Sequence, residues 1–265
     1  MIVFPNIKIN LGLYITDKRG DGFHNLISCF YPVGWTDILE ITLSDTFEYL
    51  QSGIPIPGAQ ADNLCVKAYN LLQREYKIGP VRIHLHKIIP MGAGLGGGSS
   101  DAAFTLRSLD TLFSLKLTSD TLEKYAAELG SDCAFFIKNV PAIASSRGEV
   151  LKETNPVLKG KFILIVCPDI HVSTKQAFTG VQPKPTLLNI ENTISDCSSW
   201  KQNLYNQFED TVFPLSAEFE IIKGMLYEKG AFYASMSGSG SAIYGIFDQY
   251  PDFEIEKYRY FKGVL

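Results

Sequence analysis

Residues 90–103 read PMGAGLGGGSSDAA, in which glycines join a strand pattern to a helix pattern. Glycine permits positive φ angles and lets a ligand approach the backbone closely. A helix that begins directly after such a turn presents unpaired N–H groups and the positive end of its dipole to an anion. The position between a strand and an amphipathic helix favours a phosphate-binding loop over a flexible linker or a plain tight turn.

Three kinds of phosphate loop compete for this stretch. A Walker loop requires a lysine directly after its last glycine, and none follows here. The spacing Gly92-x-Gly94-x-x-Gly97 is formally that of a dinucleotide site. The nearest acidic partner for such a site, Asp120, is expected to begin a helix instead of following a second parallel strand. The third kind, P-x-G-x-G-L-G followed by small residues, matches almost throughout.

Strand and helix patterns are mixed on both sides of the loop. Alternating or continuous apolar residues predict strands at 7–15, 39–43, 81–85, 162–167 and 242–247. Helices are predicted after a cap at Asp62 or Asn63, after the glycines, from Ser119 or Asp120 to Gly130, and over 216–229. Residues 180–202 are polar and predict a loop-rich excursion. The mixture predicts an α+β protein of two domains, residues 1–155 and 156–265.

Composition excludes several classes of protein. The 265 residues include 24 basic and 28 acidic side chains, a net charge of −4, which argues against a general nucleic-acid binder. The five cysteines are widely spaced, which argues against a disulfide framework and a zinc knuckle and suits the cytoplasm. The N-terminal residues lack a signal-peptide pattern, and no apolar run approaches the ~20 residues of a membrane span. We therefore expect a cytoplasmic protein without a membrane or nucleic-acid partner.

Two further tracts extend the signal of the loop. PNIKINLGLYITDKRGDGFHNL at 5–26 and SMSGSGSAIYGIF at 235–247 resemble the first and third motifs of the GHMP kinase family, and PMGAGLGGGSS resembles the second. Their order and spacing also agree. The resemblance implies an ATP-dependent small-molecule kinase that uses Mg²⁺. It further implies an N-terminal domain like the second domain of ribosomal protein S5, with a left-handed βαβ unit, and a ferredoxin-like C-terminal domain.

The resemblance also implies roles for individual residues. Asp132 corresponds to the catalytic aspartate of the family and Lys8 to its partner lysine. From the residues alone, Asp132 is a carboxylate at the edge of an apolar run, which is unfavourable unless it is paired, or else a helix cap. Lys8 is otherwise a solvated strand residue. No metal-ligating side chain is expected. The residues implied in ATP binding are Pro90, Met91, Gly92, Ala93, Gly94, Leu95, Gly96, Gly97, Gly98, Ser99 and Ser100, with Asn63 and Lys87 beside the adenine.

The acceptor is suggested by three shorter tracts. RGDGFHNL at 19–26, ADNL at 61–64 and LGSDCAFF at 129–136 resemble a subfamily whose acceptor is a small alcohol linked to cytidine diphosphate. The residues implied in substrate binding are Asn10, Phe23, His24, Phe178, Gly238 and Gly240. Some members carry tyrosine where this chain has Phe23, so stacking on a base is kept and a phenol hydrogen bond is lost.

Other functions remain open at this point. They are a kinase of homoserine, mevalonate or a sugar, a non-catalytic nucleotide sensor on the same fold, and a nicotinamide oxidoreductase. The presence of both Lys8 and Asp132 argues against the sensor. A monomer and a homodimer are equally compatible with the sequence.

Overall fold

A computed structural model describes residues 1–184 and 189–265, and these residues form two compact units. Unit 1 contains Met1–Ile7, Trp35–Met91 and Gly96–Asn139, and unit 2 contains Lys8–Gly34, Gly92–Leu95 and Val140–Leu265. The chain therefore passes between the units several times. The predicted domains, 1–155 and 156–265, are two continuous segments, whereas each unit is made of three separate segments. The domain division stays a prediction.

Strands and helices occur in both units, as expected for the α+β class. The strands are β1 Ile2–Val3, β2 Asn6–Lys18, β3 His24–Thr36, β4 Ile38–Leu43, β5 Glu48–Gly53, β6 Val81–Lys87, β7 Ala142–Ser145, β8 Val150–Glu153, β9 Phe162–Cys167, β10 Tyr233–Met236, β11 Ile243–Phe247 and β12 Arg259–Val264. The helices are α1 Leu64–Tyr76, α2 Gly97–Leu112, α3 Ser119–Leu129, α4 Phe135–Lys138, α5 Thr174–Thr179, α6 Ile190–Ile194, α7 Trp200–Asn203, α8 Glu209–Val212 and α9 Glu218–Glu228.

The sheet of unit 1 has the strand order β1-β4-β6-β5. β5 runs parallel to β6, with α1 between them along the chain, so these three elements form a βαβ unit. The predicted alternation is confirmed in β6, where Val81, Ile83 and Leu85 are buried. It is wrong at Leu43, which is 65% exposed because it is the last residue of β4.

Unit 2 contains two sheets, in the orders β2-β3-β7-β8 and β10-β11-β9-β12. The apolar residues of β2 are buried as predicted, but exposure does not alternate, since every residue from Asn6 to Leu13 is buried. Leu13 and Ile15 join a core that includes β9, β11 and α9. The second half of this unit therefore packs against a strand from the start of the chain. β9 has the predicted bounds, Phe162–Cys167.

Some predicted boundaries need correction. Asn63, one of the two candidate caps, accepts a hydrogen bond from the Cys65 N–H at 2.9 Å and begins α1. The cap of α3 is Thr118, one residue before the predicted start, because its hydroxyl accepts from the Thr121 N–H. The excursion at 180–202 contains α6 and α7, whose anchors Ile190 and Trp200 are buried. Residues 185–188 of that excursion lie outside the described residues.

Candidate active site

The glycine loop leads directly into α2. Gly92, Gly94 and Gly96 have φ angles of 65°, 74° and 72°, in the left-handed region where glycine is favoured. Gly96 is the N-cap of α2, and it has no side chain to accept from the first N–H groups of the helix. Those donors therefore point away from the helix toward any anion at the loop. The predicted strand–glycine–helix junction is present.

The middle of the loop is fixed by the turn of the third motif, and both belong to unit 2. Ser237 donates its hydroxyl hydrogen to the Gly94 carbonyl at 2.9 Å, and the Ala242 N–H donates to the Ala93 carbonyl at 3.1 Å. A Cβ added at Gly94 would lie 1.9 Å from the Ser237 carbonyl oxygen. Glycine is therefore required at this position by a backbone contact as well as by its φ angle.

Gly238 and Gly240 lie in the same turn, with φ angles of 54° and 84°. A Cβ on Gly238 would be 3.0 Å from the Gly94 carbonyl oxygen and 3.5 Å from Asn10 Oδ1. The turn thus lies beside both the glycine loop and the polar face of β2. Its part in binding a substrate stays a prediction.

Lys8 and Asn10 share the polar face of β2, as the alternation predicts. Lys8 Nζ donates to Asn10 Oδ1 at 2.6 Å, and the Asn10 amide donates to Ser28 Oγ at 2.8 Å. Ser28 then donates to the Gly12 carbonyl at 2.6 Å. Lys8 and Asn10 are 3% and 1% exposed, so the interpretation of Lys8 as a solvated strand residue is wrong. A network of buried hydrogen bonds holds the ammonium group in one position.

Asp132 lies in unit 1, in the turn between α3 and α4, where it is half-buried. Gly130 ends α3 as predicted, and its carbonyl accepts from the Cys133 N–H at 3.1 Å. The residues that follow, Cys133 to Ile137, are buried, so the turn is anchored on one side by the core. The catalytic roles of Asp132 and of Lys8, which belongs to unit 2, stay predictions.

A cavity of about 430 Å³ opens in unit 1 beside the start of α2. Its size suits a base and part of a sugar. The lining residues that matter here are Tyr49, Asn63, Lys87, Met91, Gly98 and Asp101. Both residues expected near the adenine, Asn63 and Lys87, therefore line one cavity. Asn63 also donates to the Tyr49 hydroxyl at 2.7 Å, so its role as a helix cap and its place in the cavity are compatible.

Lys87 is held between two carboxylates beneath this cavity. Its Nζ donates to Asp37 Oδ2 at 2.5 Å and to Asp101 Oδ2 at 2.8 Å, and Lys87 is 2% exposed. Lys87 is therefore a buried cation with two carboxylate partners. Asp37 Oδ1 accepts from the N–H groups of Ile88 and Ile89, which fixes the chain just before the glycine loop. The group of Lys87, Asp37 and Asp101 thus supports both the cavity and the loop.

The charges of this group shift its pKa values. Burial lowers the pKa of Lys87, but attraction to Asp101 and Asp37 outweighs burial and leaves that pKa raised. Burial raises the pKa of Asp101 to about 7, with Lys87 opposing the rise and Asp37 adding to it. Asp101, near the start of α2, therefore serves as an ion-pair partner of Lys87.

The aromatic residues predicted for a cytosine pocket lie in unit 2. The His24 and Phe178 rings stack with centroids 5.0 Å apart and planes inclined by 19°, and Phe178 also contacts Phe208 in the core. Phe23 is 55% exposed, and the Arg147 guanidinium lies 5.0 Å from its ring centroid. The structure brings His24 and Phe178 together. Since His24 covers one face of Phe178, a base can use that face only after His24 turns away.

Comparison with known proteins gives the family. The family sequence model described as GHMP kinases N terminal domain matches residues 63–144, and the one described as GHMP kinases C terminal matches residues 190–260. The chain belongs to the GHMP kinase family. It is 52% identical to a 4-diphosphocytidyl-2-C-methyl-D-erythritol kinase of Bacteroides thetaiotaomicron, over 94% of this chain and 92% of the relative.

Two further comparisons support the GHMP kinase assignment. A relative of the same name from Cytophaga hutchinsonii is 48% identical over 95% of this chain and 94% of its own length. A crystal structure of 4-(cytidine 5'-diphospho)-2C-methyl-D-erythritol kinase is 31% identical, with a TM-score of 0.79, over 93% of this chain and 90% of that chain. The fold of this GHMP kinase is therefore confirmed along almost its whole length.

Sequence reasoning missed several buried polar residues of this GHMP kinase. Asp37 is fully buried, and its partner Lys87 is 50 positions away, so no local spacing could reveal the pair. Asn206 and Glu209 are also buried, in a segment for which the sequence predicted no element. Across the residues that the structure describes, no helix has the length and apolar character needed to cross a membrane.

Proposed function

We propose that this GHMP kinase transfers the γ-phosphate of ATP to the 2-hydroxyl of 4-diphosphocytidyl-2-C-methyl-D-erythritol, in the non-mevalonate route to isoprenoid precursors. The observation that carries the reaction is the glycine loop, whose left-handed glycines open α2 without a capping side chain. The choice of acceptor rests on the near full-length relatives of that name, at 52% and 48% identity. The enzyme is proposed to be cytoplasmic, a monomer or homodimer, with no nucleic-acid or membrane partner.

The donor is bound by two features in this proposal. The cavity that Asn63 and Lys87 line receives the adenine, and the N–H groups at the start of α2 bind phosphate oxygens. The Ser99 and Ser100 side chains add hydroxyl groups at the first turn of α2. Ser100 Oγ is buried and has no hydrogen-bond partner among the described residues, which suits a contact that forms when the nucleotide binds.

Phosphoryl transfer depends mainly on positioning and on stabilisation of charge. Lys8, fixed by its bond to Asn10 Oδ1, is proposed to neutralise the charge that develops on the transferred group. Asp132 is proposed to orient the acceptor hydroxyl and accept its proton. Asn10 would keep the ammonium group in place through the bonds that link it to Ser28.

Mg²⁺ fits this chain as an ion carried by the nucleotide. The described residues contain no group of three His, Cys, Asp or Glu side chains that could hold a metal ion. Mg²⁺ commonly binds through substrate phosphates and few protein ligands, and the Ser100 hydroxyl is suited to that role. When bound, the ion would neutralise charge on the phosphates.

After His24 turns away from the Phe178 ring, the acceptor's cytosine is proposed to stack on the faces of Phe23 and Phe178, with its polar edge toward His24. Phe23 has an exposed ring, and Phe178 is anchored in the core, so one wall is adaptable and the other is fixed. Aromatic stacking contributes about 1–3 kcal/mol per base. Cytosine and uracil present opposite donor and acceptor groups on this edge, so a hydrogen bond to His24 would distinguish them.

The test is a panel of acceptors with ATP and the purified protein. ADP release is measured with 4-diphosphocytidyl-2-C-methyl-D-erythritol, its uridine analogue, free methylerythritol phosphate, homoserine, mevalonate and galactose. We expect turnover with the cytidine compound and a kcat/KM at least tenfold lower with the uridine analogue. Turnover with homoserine, mevalonate or galactose alone would assign another GHMP activity. ATP binding without turnover of any acceptor would indicate a sensor.

A further inference from the structure

The segment 205–209 joins the strand that carries Lys8 to the turn that fixes the glycine loop, all within unit 2. The Leu13 N–H donates to the Tyr205 carbonyl at 2.9 Å, and the Gln207 N–H donates to the Leu13 carbonyl at 2.8 Å. The Gln207 side chain accepts from the Ile15 N–H at 2.8 Å. These bonds attach the segment to β2, which also carries Lys8 and Asn10.

Asn206 connects this segment to the turn of the third motif. Its side-chain nitrogen donates to the carbonyls of Met236 and Gly238, each at 2.8 Å, and its side-chain oxygen accepts from the Phe208 N–H at 3.0 Å. Asn206 is 0% exposed. An amide can donate two hydrogens, and here both are used on two carbonyls of one turn. A buried group satisfied in this way fixes its partners as well as itself.

Glu209 supports the same turn from its other side. Its Oε1 accepts from the Met236 N–H at 2.8 Å and from the Ser235 hydroxyl at 3.0 Å. Its Oε2 pairs with Lys223 Nζ at 2.5 Å. The N–H of Met236 is thus bound by Glu209 and its carbonyl by Asn206, so this residue is held at both polar groups.

The position of the turn matters because of what it contacts. Gly238, whose carbonyl Asn206 binds, lies against the Gly94 carbonyl and Asn10 Oδ1. Asn10 Oδ1 in turn accepts from Lys8 Nζ. A shift of Gly238 by a few tenths of an ångström would therefore move the phosphate loop or loosen the Lys8–Asn10 pair.

We propose that Asn206 is a positioning residue for phosphate binding, acting through Gly238 on Gly94 and on the Lys8–Asn10 pair. This inference rests on the proposed function, since it concerns the same ATP site. It assigns to Asn206 an effect on the phosphates of ATP and none on the base. A residue that only stabilised the fold would lower the melting temperature and leave the affinity for ATP, relative to that for adenosine, unchanged.

The test uses Asn206→Asp in the full chain. This change keeps the shape and the acceptor for Phe208 but replaces the two donated hydrogens by an oxygen that repels the Met236 and Gly238 carbonyls. Asn203→Asp is the matched control, since it makes the same chemical change three residues earlier at an exposed position. Affinities for a non-hydrolysable ATP analogue and for adenosine are measured by calorimetry, together with kcat/KM for ATP.

We expect Asn206→Asp to lower both the affinity for the ATP analogue and kcat/KM for ATP by tenfold or more. The affinity for adenosine should stay within twofold of wild type. Asn203→Asp should match wild type in all three measurements. An equal loss of affinity for the ATP analogue and for adenosine, or no loss of affinity for either, would overturn the proposal. If Asn206→Asp does not fold, Asn206→Ala is judged by the same ratio. If wild type phosphorylates no acceptor, the proposed function fails, while the ratio of the two affinities still decides the role of Asn206.

Discussion

At the scale of single residues, the buried group of Lys87, Asp37 and Asp101 places one positive charge between two carboxylates. When both carboxylates are ionised the group carries a net negative charge away from water, which is unfavourable. Uptake of one proton removes that charge, and this is why the pKa of Asp101 is raised to about 7. Stability and protonation are therefore linked at this position.

The linkage predicts a dependence of stability on pH. The folded-state pKa of Asp101, about 7, lies above the unfolded value of about 3.9, so the folded protein binds more protons between these values. The stability that Asp101 contributes is complete below about pH 4 and is lost as pH rises through about 7. Asp101→Asn removes the titration, so the variant should gain stability relative to wild type across this range. Urea unfolding of both proteins at several pH values measures this difference in stability.

Asp62→Asn is the control for this experiment, because Asp62 lines the same cavity with an exposed carboxylate. Its free energy of unfolding should follow that of wild type at every pH. If the free energies of unfolding of Asp101→Asn and wild type differ by the same amount at every pH between about 4 and 7, the linkage is contradicted.

Catalysis gives a second prediction for one residue. Asp132→Asn keeps the size of the side chain and removes its basicity, so kcat should fall by about 10²–10⁴ while ATP still binds. Asp120→Asn, at an exposed position in the first turn of α3, is the control and should keep wild-type kcat. Steady-state kinetics and ATP titration measure the two effects. Near wild-type kcat in Asp132→Asn would remove this residue from the proposed chemistry.

Recognition of the base gives a third prediction at this scale. If His24 reads the edge of cytosine, His24→Ala should reduce the preference for the cytidine substrate over its uridine analogue to near unity. Phe178→Ala should raise KM for both, because it removes a stacking wall anchored in the core. The ratio of kcat/KM values reports the first effect and the KM values report the second. A preference that survives His24→Ala would place cytosine recognition elsewhere.

At the scale of elements, the glycine loop runs directly into α2, because Gly96 is the N-cap of the helix. Gly94 and Gly98 differ in whether the surrounding structure leaves room for a side chain. Gly94 lies against the Ser237 carbonyl, whereas a Cβ on Gly98, inside α2, would meet nothing within 4 Å. A close backbone contact therefore requires glycine at position 94, whereas no such contact requires it at position 98.

This contrast predicts the outcome of alanine substitution. Gly94→Ala should shift the loop or the turn at Ser237, because the new methyl group would overlap a carbonyl oxygen, and KM for ATP should rise at least tenfold. Gly98→Ala should slightly stabilise α2, since alanine favours helices by about 1 kcal/mol over glycine. Gly224→Ala, at an exposed position in α9 where an added Cβ would meet nothing within 4 Å, is the control and should leave ATP kinetics within about twofold. ATP kinetics and thermal melts measure these effects. Equal KM values in Gly94→Ala and Gly224→Ala would separate the loop from phosphate binding.

Elements with regular patterns were predictable from the sequence, and irregular ones were not. β9 carries a continuous apolar run and has its predicted bounds, and α2 follows the glycine loop as its apolar spacing predicted. β3 was missed because Pro32 and Gly34 interrupt its pattern and its exposure does not alternate. In the candidate site, the motif residues are predicted by resemblance, and their roles stay predictions. Asp37 and Asn206 were not predicted, because their partners are 50 and about 30 positions away.

At the scale of the whole molecule, ligand binding couples to unfolding. If ATP binds the folded state alone, a concentration of 100 times Kd should stabilise the protein by about 2.7 kcal/mol. For a chain of this size each kcal/mol corresponds to about 2–4 °C in melting temperature. NAD should give no such shift. Thermal melts with each ligand test this, and a larger shift with NAD than with ATP would favour an oxidoreductase.

The core of unit 2 joins the two ends of the chain, since Leu13 and Ile15 pack with residues as distant as Ile255. During synthesis the ribosome releases β2 early, and it releases the last of its packing partners only after roughly 240 further residues. At about 5–20 residues per second this interval is on the order of tens of seconds. Throughout it, an apolar strand has no complete core to enter and is exposed to aggregation. Recovery of folded enzyme should therefore depend on chaperones that bind nascent chains, and slower translation should lengthen that dependence.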